Sequence, residues 1–291
     1  MTQVPIPSEV IWSYAVGGGV LALGLLVLSR RGGWREARGL EKLILLGPLF
    51  YAAPLAAFGT EHFTKTQAIA SIVPAYLPWH LFWAYFVGAC FVAASLSLVT
   101  GIQARLSASL LAVTFFLFVL LMDVPAWTHR LGDRFALTLV LRQLAFSGGA
   151  LALAATLTEA GRPRDALATM ARYCVAVAAL YYSVEQFAHG DHVPGVPLRP
   201  LTPTYIFGHG IWTYAAAVGY AVTGVLLVLG KKTRPAAAWL GATVLLVELV
   251  VYAPIGIVER ASLNNGLNYV GDTLMFCGAV LLMAGAMPRE T

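Results

Sequence analysis

Apolar runs of about 20 residues recur along nearly the whole chain, separated by short polar segments. At a rise of about 1.5 Å per residue, a helix of that length crosses the roughly 30 Å hydrocarbon core of a bilayer. We predict membrane-spanning helices near residues 10–29, 40–60, 80–100, 106–127, 136–158, 167–186, 208–229, 236–257 and 267–286. These runs are too long and too uniformly apolar for barrel strands, so the predicted fold class is an all-α polytopic membrane bundle of about nine spans.

The chain also contains an internal repeat. A shift of 129 residues aligns 74–127 with 203–256 without a gap, and the pattern P-x-Y-x3-H-x2-W-x-Y occurs in both segments. Leucines match between any two membrane segments, whereas this pattern indicates duplication. We predict two four-helix copies, 40–158 and 159–291, preceded by an N-terminal helix and basic loop in 1–39. Because each copy has an even number of spans, both share one orientation, and a pseudo-two-fold axis along the membrane normal is expected.

Composition and charge agree with this class and suggest an orientation. Hydrophobic residues make up 59% of the chain and charged residues 11%, whereas a soluble domain carries about 25% charged residues. With the N-terminus outside, 13 basic residues lie in inner segments and 5 in outer ones, which is the distribution that the positive-inside rule favours. We therefore expect the N-terminus outside and the C-terminus inside a bacterial plasma membrane, with the lipid bilayer as partner and no nucleic acid bound. No basic residue precedes the first apolar run, so that run is expected to persist as a span.

Some of these motifs carry a resemblance to a known family. G-T-E-H-F at 59–63, V-P-x-x-L-P at 73–78, an aromatic-rich helix and a basic inner turn resemble the DoxX-like family of small four-helix membrane proteins. The first copy is similar throughout and the second more loosely, so the chain looks like a tandem DoxX-like protein. The resemblance implies a link to quinones and to a soluble or membrane redox partner, and it implies no catalytic residue.

Ionisable side chains inside or at the ends of spans are the candidate functional residues. A charge at the bilayer centre costs about 2.5–3.5 kcal/mol on insertion scales, so such groups usually have a function. Here they fall in the predicted outer half of the membrane, which suggests a polar pocket between the copies that opens outward. The candidate ligand-binding residues are Glu61, His62, His80, Trp83, Asp123, Arg142, Glu185, His209, Trp212, Glu248 and Asp272.

The buried charges allow more than one pairing. Arg142 is expected to pair with Asp123 on the neighbouring helix, or with Asp272, its equivalent in the second copy. The pair is either purely structural or part of an anion or quinone-carbonyl site. Glu248 and Asp272 have no basic partner in their own copy, so at least one is expected to be protonated at neutral pH or to pair with Arg142.

The remaining candidates also have alternative interpretations. His80 and His209 either belong to an interfacial aromatic belt with Trp83 and Trp212, or face each other across the axis and donate to quinone oxygens. Two histidines are a weak signal for a metal, and the chain lacks the spacing of a di-metal bundle, so neither haem nor metal is expected. Glu61 is either an interfacial group or one that exchanges protons with the outer compartment.

Taken as a whole, the sequence predicts a membrane subunit associated with a quinone-linked redox system, with a hydrophobic ligand in the outer pocket. No nucleophile–base constellation indicates that the chain is itself an enzyme. A carrier for a lipid-like or small organic molecule and a structural assembly factor are the alternatives.

Overall fold

The computed structural model describes residues 8–190, 209–254 and 263–289, and it describes the side chains of these residues except 209 and 263–267. The described residues form helices and no strand. Nine of the helices in these ranges are long and apolar enough to cross a membrane. The predicted fold class, an all-α polytopic bundle, is confirmed.

The described helices follow the predicted spans closely. The chain begins with α1 (Ser8–Ser29) and the short α2 (Gly32–Glu36). The first copy contains α3 (Leu40–Thr64), α4 (Thr66–Ile72), α5 (His80–Thr100), α6 (Ala104–Phe118), a π-helical turn (Val119–Asp123), α7 (Val124–Thr128) and α8 (Arg134–Thr156). The second copy contains α9 (Arg162–Ala188), α10 (His209–Leu229), α11 (Thr233–Val247), a π-helical turn (Glu248–Tyr252) and α12 (Leu263–Ala286).

The end of α3 differs from the prediction. The predicted span near 40–60 stops just before Glu61, but α3 continues to Thr64 and α4 follows after one residue. The Lys65 ammonium pairs with the Glu61 carboxylate one turn earlier, at 2.6 Å. Such pairs one turn apart stabilise a helix end. Glu61 therefore lies within the last turns of a membrane helix.

The two copies pack their long helices in the same order. In the first copy α3 contacts α5, α5 contacts α6 and α6 contacts α8; in the second copy α9 contacts α10, α10 contacts α11 and α11 contacts α12. Between copies, α8 contacts α9, α12 contacts α3, and α8 and α12 contact each other. The last helix of each copy therefore packs against the first helix of the other copy. A pseudo-two-fold axis between α8 and α12 requires this reciprocal arrangement. Helix α1 packs outside this set, on α3 and α5.

Equivalent side chains also make equivalent hydrogen bonds. In the first copy, the Ser147 hydroxyl on α8 donates to the Ala112 carbonyl on α6 at 2.8 Å. In the second copy, the Cys277 thiol on α12 donates to the Gly241 carbonyl on α11 at 3.2 Å. The last two long helices of each copy are therefore joined by a hydrogen bond at the same repeat positions.

Small residues bring α8 and α12 together at the axis. A Cβ built on Gly149 would lie 2.5 Å from the Cβ of Ala279, and a shift of 130 residues relates these two positions. The equivalent glycines Gly148 and Gly278 lie against α9 and α3, the first helices of the opposite copies. Because lipid gives no hydrophobic driving force between helices, close packing at small residues is how such helices associate. We call the Gly149–Ala279 contact the central seam.

Each copy has a π-helical turn at the same position. The turns Val119–Asp123 and Glu248–Tyr252 are related by the shift of 129 residues, and Pro125 and Pro254 follow them. A π-turn inserts one extra residue into a helix and is frequent at functional sites. It therefore changes which side chains face the bundle interior over the last turns of the helix.

In the first copy a tyrosine compensates for the proline. Pro125 has no backbone N–H, so the carbonyl of Leu121, four residues earlier, loses its usual helical donor. The Tyr76 hydroxyl, from the segment between α4 and α5, donates to that carbonyl at 2.7 Å. The segment before α5 is thereby joined to the π-turn that carries Asp123.

Candidate functional site

The acidic candidates gather toward one end of the bundle, which we call the carboxylate end. Helices α3 and α9 finish at this end, and α5, α8, α10 and α12 begin there. The opposite end, which we call the basic end, contains the turns that are rich in Arg and Lys. The prediction that the carboxylate end faces outside stays a prediction.

Arg142 forms a buried ion pair with Asp272 across the pseudo-two-fold axis. The Arg142 Nη1 donates to the Asp272 Oδ2, and the two side chains are 16% and 8% exposed. The guanidinium also lies 6.0 Å from the centroid of the Phe146 ring. Of the two partners that the sequence allowed, the structure selects Asp272 and not Asp123, because α8 and α12 pack face to face at the axis.

Asp123 is the last residue of the first π-turn. It is within electrostatic range of the Arg142 guanidinium, but among the described ion pairs Arg142 binds Asp272 alone. Its Oδ2 atom is buried and has no hydrogen-bond partner among the described residues. The Nε atom of Arg142 is also buried, and it too has no hydrogen-bond partner among the described residues.

The second π-turn contributes two more buried polar groups. Glu248 is 4% exposed and Tyr252 is 1% exposed. The Oε2 of Glu248 and the hydroxyl of Tyr252 have no hydrogen-bond partner in the described ranges. Tyr252 is within electrostatic range of both Glu248 and Asp272. Glu248 and Tyr252 therefore share one polar neighbourhood with the Arg142–Asp272 pair. We call these four residues, together with Asp123 and Glu61, the carboxylate cluster.

Glu61 connects the carboxylate cluster to the surface of the carboxylate end. It is buried and within electrostatic range of Asp272 and of Tyr14 on α1. Its partner Lys65 lines an open cavity of about 730 Å³, together with Asn268 of α12. Asn268 lies one helical turn from Asp272, on the same face of α12. The cavity thus opens above the carboxylate cluster, on the side of Glu61.

The 730 Å³ cavity is lined by none of the candidate residues whose side chains the structure describes. Glu61, Asp272 and Glu248 are buried in the bundle. Where the two copies meet at Gly149 and Ala279, the helices leave little space between them. The outward-opening pocket between the copies stays a prediction.

Glu185 and its neighbour Gln186 lie at the corresponding end of α9. The Glu185 carboxylate pairs with the Arg134 guanidinium at the start of α8, at 2.5 Å. Gln186 is fully buried, and both atoms of its amide group lack a partner among the described residues. Gln186 was not among the predicted site residues because glutamine is not ionisable. Its repeat position, equivalent to the candidate His62, was the available signal.

His62, Trp83 and Trp212 make contacts of their own, although His62 is also within electrostatic range of Glu61. The His62 Nδ1 is 2.9 Å from the Phe58 carbonyl, and the ring packs edge-on against Phe91. The Trp83 indole donates to the Pro78 carbonyl at 2.9 Å, and Trp212 is exposed on α10. These positions agree with an aromatic belt at the membrane interface.

The expected approach of His80 and His209 across the axis is not formed. These residues begin α5 and α10, and the contacts run from α5 through α3, α12, α8 and α9 to α10. The two helices therefore lie on opposite flanks of the bundle. The side chain of His209 lies outside the described residues.

The carboxylate cluster has the chemistry of a proton-exchanging or head-group-binding site. It combines several carboxyl groups with one guanidinium, and several of its donors and acceptors have no partner in the part of the chain that the structure describes. Within the described ranges, no group of three or more His, Cys, Asp or Glu residues is arranged to hold a metal ion.

The fold defines the chain as a polytopic α-helical membrane protein with two similarly packed four-helix copies. In comparisons with known proteins, no family model, no curated protein and no solved structure matches this chain. The resemblance to the DoxX-like family therefore stays an expectation from its motifs.

Proposed function

We propose that this protein binds a hydrophobic molecule with a quinone-type head group at the carboxylate cluster and serves as a membrane subunit of a redox system. The carrying observation is the pair of π-turns. Each turn contributes an acidic side chain, Asp123 or Glu248, with a carboxylate oxygen that has no partner among the described residues. Asp123 is within electrostatic range of Arg142, and Tyr252 is within range of both Glu248 and Asp272. Unmet polar atoms inside a membrane bundle cost free energy, so we infer that a ligand supplies their partners.

The polar atoms without partners fit the two requirements of a quinone site, which are hydrogen-bond donors for the quinone carbonyl and proton acceptors for the quinol. The Arg142 Nε and the Tyr252 hydroxyl are free to donate hydrogen bonds to a quinone carbonyl. The carboxyl groups of Glu248 and Asp123 are suited to accept the protons that a quinol releases on oxidation. Glu61 lies between these groups and the cavity beside Lys65 and gives protons a route to the aqueous side. The DoxX-like motifs point to the same class of ligand.

The tandem arrangement of two similarly oriented copies favours a second candidate, a carrier for a lipid-like or small organic molecule. The central seam argues against this function. Gly149 and Ala279 meet seven residues beyond Arg142 and Asp272, about 10 Å further along the helices. A substrate that crossed the membrane along the axis would have to push α8 and α12 apart at this contact.

A thermal-shift titration of the purified protein with ubiquinone and menaquinone analogues tests the proposal. A ligand at a hundredfold excess over Kd stabilises the native state by about 2.7 kcal/mol. Glu248→Gln and Asp123→Asn keep the side-chain shape but remove the carboxylate, so each should reduce or abolish the quinone-dependent rise in Tm. Glu41→Gln, which removes a carboxylate at the basic end, is the matched control and should retain it.

The outcomes separate the candidate functions. If neither quinone stabilises the wild-type protein, the quinone proposal fails, and counterflow of a labelled lipid-like substrate in liposomes then tests the carrier. A quinone shift that survives in both carboxylate variants would place the ligand away from the carboxylate cluster.

A further inference from the structure

A groove between α10 and α11 opens to the lipid side of the bundle near the basic end. Its volume is about 340 Å³, and its walls include Gly219 and Leu226 of α10 and Ala236 and Trp239 of α11. Lys232, which precedes α11, lies at its mouth. The groove lies at the other end of the molecule from the carboxylate cluster, so an inference from it is independent of the proposed function.

The dimensions of the groove match one leaflet of a bilayer. Its lining runs from Lys232, just before α11, to Thr243, and the eleven steps between these residues rise about 16 Å along the helix. Half of a typical hydrocarbon core is about 15 Å. The groove therefore extends from the membrane surface to about the midplane, which is the depth that one acyl chain of a phospholipid occupies.

Charge at the mouth of the groove favours an anionic head group. Lys232 is exposed, and no carboxylate among the described residues pairs with it. Lys231 precedes it, and the Arg172 guanidinium on α9 donates to the Leu227 carbonyl at 2.9 Å. Basic pockets between membrane helices are typical binding sites for the head groups of anionic lipids.

The equivalent positions of the first copy differ from this groove in polarity and charge. The residues equivalent to Leu226 and Ala236 are Ser97 and Ser107, whose hydroxyls form a 2.8 Å hydrogen bond that ties α5 to α6. In the second copy the Thr223 hydroxyl on α10 donates instead to the Ala236 carbonyl on α11 at 3.3 Å. The residue equivalent to Lys232 is Gln103, which has no charge. The second copy therefore has an apolar wall at Leu226 and a lysine where the first copy has a serine and a glutamine.

We propose that the α10–α11 groove binds an anionic phospholipid, with one acyl chain along Gly219 and Leu226 and the phosphate against Lys232. The chemistry is hydrophobic contact for the chain and charge-assisted hydrogen bonding for the phosphate.

Lipid binding to the purified full-length protein tests this site. Phosphatidylglycerol and phosphatidylcholine with identical chains are compared by thermal shift and by retention in native mass spectrometry, with inorganic phosphate as a separate arm. Lys232→Gln removes the charge. Glutamine fits the left-handed backbone at this position, because the equivalent Gln103 has a φ of 53° and Lys232 a φ of 46°. Gly219→Leu fills the groove, because a Cβ at Gly219 has no atom within 4 Å.

The wild-type protein should bind phosphatidylglycerol in preference to phosphatidylcholine. Lys232→Gln should weaken phosphatidylglycerol binding about fivefold, the equivalent of about 1 kcal/mol for one lysine at a membrane surface. Gly219→Leu should weaken binding of both lipids, while Cys90→Leu, the equivalent change in the first copy, should leave it unchanged. Equal binding of the two lipids, unchanged binding in both variants, or equal stabilisation by inorganic phosphate alone would overturn the proposal.

Discussion

Arg142 and Asp272 show how a single pair of residues can depend on the symmetry of the whole protein. They occupy equivalent positions in the two copies, and the pseudo-two-fold axis brings equivalent positions of α8 and α12 together. Two identical ionisable residues here would repel each other or remain unpaired. One arginine and one aspartate neutralise each other, so the duplicated chain gains an interaction that a symmetrical pair of copies would lack.

Removing either partner of this pair should destabilise the protein strongly. Arg142→Ala and Asp272→Ala each leave a buried charge without compensation, and we expect each to cost about 3–5 kcal/mol. The double variant should cost less than the sum of the single variants, measured as a double-mutant cycle from thermal unfolding in detergent. Arg289→Ala, at an exposed pair with Glu41, is the control and should change stability by less than about 1 kcal/mol. Strict additivity would show that the two residues are not coupled.

At the scale of elements, the π-turns decide which acidic groups enter the carboxylate cluster. The two turns begin at equivalent positions, but the first has its acidic residue at its end, Asp123, and the second at its start, Glu248. The copies have therefore diverged around a shared backbone irregularity. Because Tyr76 donates to Leu121 within the first turn, the segment before α5 takes part in holding that irregularity.

Tyr76→Phe should destabilise the first copy by about 1 kcal/mol, the net contribution of a typical hydrogen bond. Pro125→Ala restores a backbone N–H that can reach the Leu121 carbonyl. In that background the cost of Tyr76→Phe should shrink, and thermal unfolding of the four proteins measures the difference. Tyr85→Phe, at an exposed tyrosine whose ring contacts Phe63, controls for the loss of a hydroxyl. An equal cost in both backgrounds would contradict the assigned role of Tyr76.

At the scale of the whole molecule, the copies are held together by their last helices. Helix α8 lies between α12 and α9, and α12 lies between α8 and α3. The central seam closes the interface below the carboxylate cluster, and α1 adds a further layer on one side. This arrangement separates a polar region at the carboxylate end from a lipid-facing groove near the basic end.

Exchanging the residues of the central seam tests the pseudo-two-fold relation. Gly149→Ala places a Cβ 2.5 Å from the Cβ of Ala279, and overpacking of this kind costs about 1–3 kcal/mol. Adding Ala279→Gly removes the opposing methyl group, but the Cα of residue 279 still lies 2.6 Å from the new Cβ, so the exchange should restore only part of the lost Tm. Gly18→Ala on α1, where a Cβ meets nothing within 4 Å, should be neutral or slightly stabilising. No recovery at all in the double variant would show that the two methyl positions do not meet across the seam.

The sequence by itself determined the spans, the fold class and the end of the bundle at which the acidic candidates lie. Span lengths follow from bilayer thickness, and the depth of a residue follows from its distance along a helix, so Glu61, Asp123 and Glu248 could be assigned to one end. The sequence also revealed the repeat, because the motif at Pro74 recurs at Pro203.

Only the tertiary structure decided which side chains meet. The direction in which a side chain points around its helix depends on packing and, near Asp123 and Glu248, on the extra residue of a π-turn, which a regular helical period does not predict. Arg142 therefore pairs with Asp272 across the axis, and the helices that begin at His80 and His209 lie on opposite flanks. The depth of a residue in the membrane is set by its position along a single helix. The neighbour that its side chain meets is set by how all the helices pack together.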